Sequence, residues 1–150
     1  MIGRSDRSRV LGIDPGTRRI GIAIGVGAVA SPLTVIERGR SLEEAVRRIA
    51  SLIAEEEAEA VVVGLPIRLD GTEGPAARAA REVARQLARF TDVPVEFHDE
   101  RFTTVTADRA MMEAGLRAEE RRRSVDKIAA AVMLQSWLDG LAGRGGDDAQ

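Results

Sequence analysis

Residues Ala60 to Leu65, AVVVGL, are apolar without a break. A strand wetted on one face alternates apolar with polar residues, so an unbroken run of this length marks a central strand covered on both faces. The rest of the chain must then supply a sheet around it and helices on either side. Arg9 to Asp14 and Arg19 to Gly25 are β-rich runs joined by a four-residue turn, and Ala28 to Ile36 reads as a third strand. Pro32 marks an irregular or edge position there. Three strands on short connections predict an antiparallel meander. Ser41-Leu-Glu-Glu44 is a capping box for a helix to about Glu57, with Leu42, Ala45, Val46, Ile49, Leu52 and Ile53 at helical spacing. Beyond the central strand, the loop PIRLDGTEGP leads to a helix from about Ala76 to Phe90, and Val93 to Glu96 starts a strand ending in FHDER. Thr103 or Thr104 is placed to cap a third helix to about Ala114, and Ser124 to Leu141 forms the last one. The order βββαβαβαα predicts an α/β domain. Its five-stranded mixed sheet has three antiparallel strands, then two parallel ones, with helices on its flanks. One domain is expected over 9–142, with loose polar or Gly-rich tails at 1–8 and 143–150.

Composition mainly excludes. A chain of 150 residues that is 44% hydrophobic suits one domain with a real core. No apolar run approaches the roughly 18 residues of a membrane span, so no membrane partner is expected. The opening MIGRSDRSRV lacks the apolar middle of a signal peptide, and with no cysteine there is neither a disulfide framework nor a thiolate metal site. A cytoplasmic location is expected. With a net charge of −2, nucleic-acid binding would have to rest on local basic patches. Lys127 is the only lysine among 22 basic residues.

Candidate chemistry collects at one edge. With Leu11 and Ile13 packed inward, Asp14 stands at the carboxyl end of the first strand, where ligands gather in α/β sheets. The AVVVGLP and FHDER strands are expected to end there too, bringing Asp99 or Glu100 close. Asp126 would arrive from the first turn of the last helix, capped by Ser124. Each has a plain structural role open to it: Asp14 as a turn cap in Asp-Pro-Gly-Thr, Asp126 as an N-terminal helix charge, Asp99 or Glu100 as solvated acids. Several carboxylates converging without a cation would raise one another's pKa, and a divalent ion with hard oxygen preference, Mg²⁺ or Mn²⁺, relieves them. His98, alternating with Phe97, is expected to face away from the core and is given no role. Trp137, with Met133, Leu134 and Leu141, reads as core. The Gly-rich loop before the second helix offers amides to an anion, and Arg78, Arg81, Arg85 and Arg89 form a solvated stripe on that helix. Arg117 and Arg121, Arg122 and Arg123 form a second basic cluster just before Asp126. It is suited to clamp a polyanion over the carboxylates.

Four motifs, GIDPGTRRIGIAI, VVVGLPIRLDGTEGP, DERFTT and SVDKIAAAVMLQSWLD, resemble in order and spacing those of the YqgF (RuvX-like) family. The resemblance runs from Val10 to Leu141. That family is described as Holliday-junction-resolvase-like and as a nuclease maturing the precursor of 16S rRNA, and the likeness implies an RNase H-like fold. Carried onto this sequence, it makes Asp14, Glu100 in DER and Asp126 the catalytic and metal-holding acids of a metal-dependent nuclease. Asp14 would bridge two ions, Mg²⁺ or Mn²⁺. Thr17, Arg101, Thr103, Thr104, Arg121, Arg122, Arg123 and Lys127 are the candidate nucleic-acid contacts. Other RNase H-like nucleases carry the second acid at the end of the fourth strand, where this chain has Gly64-Leu65-Pro66. The implied partner is nucleic acid: RNA first, branched DNA second, and with RNA the ribosomal precursor particles. The protein would act as a monomer or homodimer. Two rivals remain open. An actin- or hexokinase-like ATP enzyme shares Asp-x-Gly-Thr but needs two such domains, and an RNA-binding ribosome-assembly factor could keep the fold without cleaving.

Overall fold

The computed structural model describes the backbone of residues 8–102 and 118–148, and the side chains of 8–101 and 124–141. Its strands are β1 (Arg9–Pro15), β2 (Arg19–Val26), β3 (Val29–Glu37), β4 (Ala60–Leu65) and β5 (Val95–Asp99). The helices are α1 (Leu42–Glu55), α2 (Pro75–Leu87) and α3 (Ala118–Asp148), and a 3₁₀ turn, Glu100–Phe102, follows β5. One sheet has the order β3-β2-β1-β4-β5; β1, β2 and β3 pair antiparallel, while β4 pairs parallel to both β1 and β5. This is the five-stranded mixed sheet expected from the sequence, and all six residues of β4 are buried within it. Pro32 sits on edge strand β3 at a bulge, where Thr34 pairs with Ile22 but Pro32 with Ala23, so Leu33 is left over. The Ser41 hydroxyl accepts the Glu44 amide at 3.2 Å and starts α1 as the capping box demands.

The two faces of the sheet differ in size. On one, Leu11, Ile13, Ile20, Ile22, Ile24, Val61, Val63 and Leu65 pack against Val46 and Ile49 of α1 and Ala80 and Leu87 of α2. On the other, α3 lies over Val10, Ala23, Ala60 and Val62 through Met133, Leu134, Trp137 and Leu138. Strand alternation puts Gly12, Gly21, Gly25 and Gly64 on this second face. A Cβ at Gly12 would stand 2.9 Å from Leu134 Cβ, and one at Gly25 would stand 3.2 Å from both Leu134 Cδ2 and Leu138 Cδ1. Small residues on one face therefore let a helix lie close to the strands.

Two expectations are corrected. Among the described residues the last helix spans Ala118–Asp148, not Ser124 to Leu141, so Ser124 is no N-cap and Asp126 lies in the interior of α3. The segment AEERRR consists of good helix formers with acids in the first turn, which extends the helix ahead of its apolar periodicity. His98 does not face away from packed structure. It turns into the α3 layer, with Nε2 3.0 Å from Ser136 Oγ, because both faces of the sheet are covered, while Phe97 is partly exposed beneath Arg81. The helix expected to end near Ala114 lies outside the described residues. No helix among the described residues is long and apolar enough to cross a membrane.

Candidate active site

Asp14 lies near the end of β1, and alternation with Val10 and Gly12 puts it on the face that α3 covers. Glu100 opens the 3₁₀ turn one residue beyond β5, in step with Glu96 and His98 on that same face. Their carboxyl groups hydrogen-bond to each other. Burial is the main force on both, because a desolvated carboxylate is costly. It pushes Glu100 up to about 8, reinforced by the hydrogen bond to Asp14 and by the charges of Asp14 and Asp99. Asp14 is also raised by burial, with the Glu100 hydrogen bond pulling it down and the charge of Asp126 pushing it up. With its carboxyl raised this far, Glu100 is the member of the pair placed to donate to Asp14 at neutral pH.

Asp126 reaches the same neighbourhood from the interior of α3, close enough for its charge to act on Asp14. A Cβ at Gly21, which pairs with Asp14 across β1 and β2, would overlap the Asp126 carbonyl oxygen and lie 2.5 Å from its carbonyl carbon. The side chain of Asp126, however, is held by Arg19, whose Nε donates to Oδ2 at 2.6 Å. Arg19 is raised further above its ordinary range by that hydrogen bond and charge. Sequence reading missed it, although Arg19 stands two residues after the Asp-Pro-Gly-Thr stretch, at the first position of β2. Among the described residues, no group of three His, Cys, Asp or Glu side chains is arranged to hold an ion. Two acids converge, and the third is turned to an arginine.

Alternation puts Asp99 and Glu100 on opposite faces. Asp99 lies on the Phe97 side and is gripped by Arg101, whose Nη2 and Nε donate to Oδ2 at 2.7 and 2.9 Å. Asp99 is accordingly lowered from its ordinary value, first by that hydrogen bond. Among the expected nucleic-acid contacts, Thr17 is exposed in the β1–β2 turn. That turn is closed by the Gly16 amide on the Arg19 carbonyl at 2.9 Å and pinned by Arg38, whose Nη1 donates to the Gly16 carbonyl at 2.8 Å. Lys127 lines a groove of about 280 Å³ with Leu33, Thr34, Val35 and Glu37 of β3. Arg121, Arg122 and Arg123 fall in the first half of α3, with side chains outside the described set, and Thr103 and Thr104 lie outside it altogether. The α2 stripe is partly neutralised: Arg81 binds Glu73 through two hydrogen bonds of 2.6 and 2.7 Å, and Arg85 pairs with Glu82. The loop before α2 is a closed turn, with Asp70 Oδ1 accepting the Thr72 amide and hydroxyl at 2.9 and 2.6 Å and Gly71 at φ +88°.

A five-stranded mixed sheet of order β3-β2-β1-β4-β5 flanked by helices is an RNase H-like fold. RuvC of Thermus thermophilus in complex with a Holliday junction substrate shares this fold, with a TM-score of 0.53 and 19% identity over 87% of this chain and 94% of that one. Another structure of Thermus thermophilus RuvC gives a TM-score of 0.51 at 21% identity over 86% and 94%. The chain belongs to the RuvX family: the family model described as "RuvX: Holliday junction resolvase" matches residues 8–140. A relative from Mycobacterium sp. (strain KMS) is 47% identical over 140 residues, 91% of this chain and 83% of its own length. Another from Anaeromyxobacter sp. (strain Fw109-5) is 48% identical over 134 residues, 88% and 97% of the two chains. Both carry the name "Putative pre-16S rRNA nuclease".

Proposed function

We propose that this chain is a divalent-metal-dependent nuclease that hydrolyses phosphodiester bonds, with the 5′ end of precursor 16S rRNA as its substrate. The observation that carries the reading is the half-buried Asp14–Glu100 pair beside Asp126, at the sheet edge where β1 and β5 both end. Partly desolvated acids in contact favour a shared proton or a cation, and all three offer hard oxygen donors suited to Mg²⁺ or Mn²⁺. The family match and the names of the relatives support the same activity. Asp14, Glu100 and Asp126 would hold the ions. Divalent ions supply, when bound, the activation of water for attack and the neutralisation of charge on the leaving 3′ oxygen.

The protein's own part begins with two releases. For these acids to hold ions, Glu100 would have to lose its proton to solvent, and Asp126 would have to part from Arg19. Arg19, freed beside the site, becomes available to a phosphate. Thr17 on its pinned turn and Arg101 on its Asp99 anchor present donors at the same edge. Thr103, Thr104, Arg121, Arg122, Arg123 and Lys127 complete the substrate contacts in this proposal, with ribosomal precursor particles as the larger partner. No protein nucleophile is required.

A second reading draws on the Arg19–Asp126 ion pair. An RNA-binding assembly factor that does not cleave would keep its third acid neutralised in this way. Incubating the purified protein with labelled single-stranded RNA, duplex DNA and a four-way junction, in Mn²⁺, Mg²⁺ or EDTA, separates the readings. Cleavage of RNA that EDTA abolishes supports the nuclease, and preference for the four-way junction moves the substrate to branched DNA. Tight RNA binding with no cleavage in either metal supports the assembly factor.

A further inference from the structure

A glycine in a fully buried central strand loses side-chain packing and backbone entropy, so its presence asks for a reason. Gly64 is such a residue, the fifth of six in β4. Conformation is not the reason, because the glycines with positive φ are Gly27, Gly39 and Gly71. Close approach of α3 explains Gly12, Gly21 and Gly25, whose absent Cβ atoms would meet Leu134, Leu138 or the backbone at Asp126. Gly64 differs from all three. Its absent Cβ would overlap Glu100 Oε1 and lie 3.2 Å from Glu100 Cδ, with Met133 Cγ next at 3.3 Å. What occupies the missing side chain's place is the carboxyl group that hydrogen-bonds Asp14.

We infer that Gly64 is a positioning residue for the site: the empty volume above β4 seats the Glu100 carboxyl against Asp14, so that an acid rooted beyond β5 serves a point over the neighbouring strand. The inference rests on the reading of Glu100 as a site residue. It follows from the register. β4 lies between β1 and β5, so Glu100 must lean across one strand to reach Asp14, and any side chain at position 64 stands in its way. The Glu100 stalk is flexible and would yield to a methyl group, so Gly64→Ala should leave the sheet intact and move the carboxyl.

A double-mutant cycle on thermal stability tests the steric claim without any metal. Gly64→Ala is expected to lower the Tm of the parent by about 4 °C, and to change the Tm of Glu100→Ala by less than about 1 °C, since the obstructed group is gone. Equal shifts in both backgrounds, or failure of the Gly64→Ala/Glu100→Ala protein to fold, overturn the inference. Mn²⁺ binding, read from the free-ion signal in electron paramagnetic resonance, tests the consequence. Gly64→Ala should weaken it by about 10-fold or more, as displaced support of a ligand does, with RNA affinity in EDTA unchanged. Gly64→Asp/Glu100→Ala, which roots a carboxylate directly above β4, should recover part of the Mn²⁺ affinity that Glu100→Ala removes. Mn²⁺ affinity of Gly64→Ala equal to the parent's also overturns the inference. A parent that neither binds Mn²⁺ nor cleaves sinks the proposed function instead, and the stability cycle still decides the role of Gly64.

Discussion

With its carboxyl pushed up to about 8, Glu100 holds at neutral pH a proton that an unfolded glutamate releases near its ordinary value of 4.5. Between those values the folded chain binds more protons than the unfolded one, so this group's contribution to stability falls as pH rises from about 4.5 through about 8. Glu100→Gln removes the titration and keeps a donor for Asp14. The variant is expected to match the parent near pH 4.5 and to exceed it at pH 8.5, by about 2–4 °C in Tm for each ~1 kcal/mol of strain relieved. A metal-free parent whose Tm advantage over Glu100→Gln grows with pH contradicts the assignment. Arg19→Gln should act oppositely on two readouts: a lower Tm without metal, because Asp126 loses its partner, and a larger Tm increment from Mn²⁺, because no ion pair has to be broken first. Asp14, Glu100 and Asp126 were all legible in the sequence as candidates. The Arg19 ion pair was not, since residues 107 positions apart meet only through the docking of α3 on β2. Spacing also left Asp99 and Glu100 open, because adjacent residues on a strand's end differ only in the face they take, and that depends on register.

Helix α3 is the element that turns a sheet edge into a site. It can carry Asp126 near Asp14 only because Gly21 lets its backbone settle onto β2. Gly21→Ala would force a methyl group into the Asp126 carbonyl and is expected to cost about 1–3 kcal/mol, as overpacking does, read from urea denaturation. A cost near zero would mean that α3 does not sit this close. Leu134, fully buried against Gly12 and Gly25, anchors the same packing, and Leu134→Ala is expected to cost about 2–5 kcal/mol. The antiparallel meander, the capped α1 and the buried β4 were readable from turn residues, a cap and an apolar run. The start of α3 was not, because Ala118 to Arg123 carries helix propensity without apolar periodicity. A readable signal was overlooked in Gly-Ile-Ala-Ile-Gly over residues 21–25, where small and large residues alternate. That period-2 pattern in size, more than in polarity, reports a thin face for one helix and a thick face for two.

At the scale of the molecule, a net charge of −2 leaves polyanion binding to local arginines. Acids already engage part of the α2 stripe, Arg81 by Glu73 and Arg85 by Glu82, so these arginines offer little free charge to a phosphate. Charge reversal at Arg121–Arg123 should therefore weaken RNA binding more than reversal at Arg81 and Arg85. It should flatten the salt dependence by about 0.7 in log–log slope for each single-strand phosphate that is no longer neutralised. Fluorescence anisotropy across a salt series reads both, and equal losses at the two sites would contradict the ranking. The most direct test of the whole account measures cleavage and binding together on an RNA carrying the 5′ leader of precursor 16S rRNA, for the parent and for Asp14→Asn, Glu100→Gln and Asp126→Asn. The parent should cleave in Mn²⁺ and be silent in EDTA. The three variants should fold, bind the RNA as the parent does, and cleave at least about 100-fold more slowly, since each would lack one of the proposed ligands of the ions that activate water. Cleavage at the parent's rate by all three variants would place the chemistry elsewhere and contradict the account.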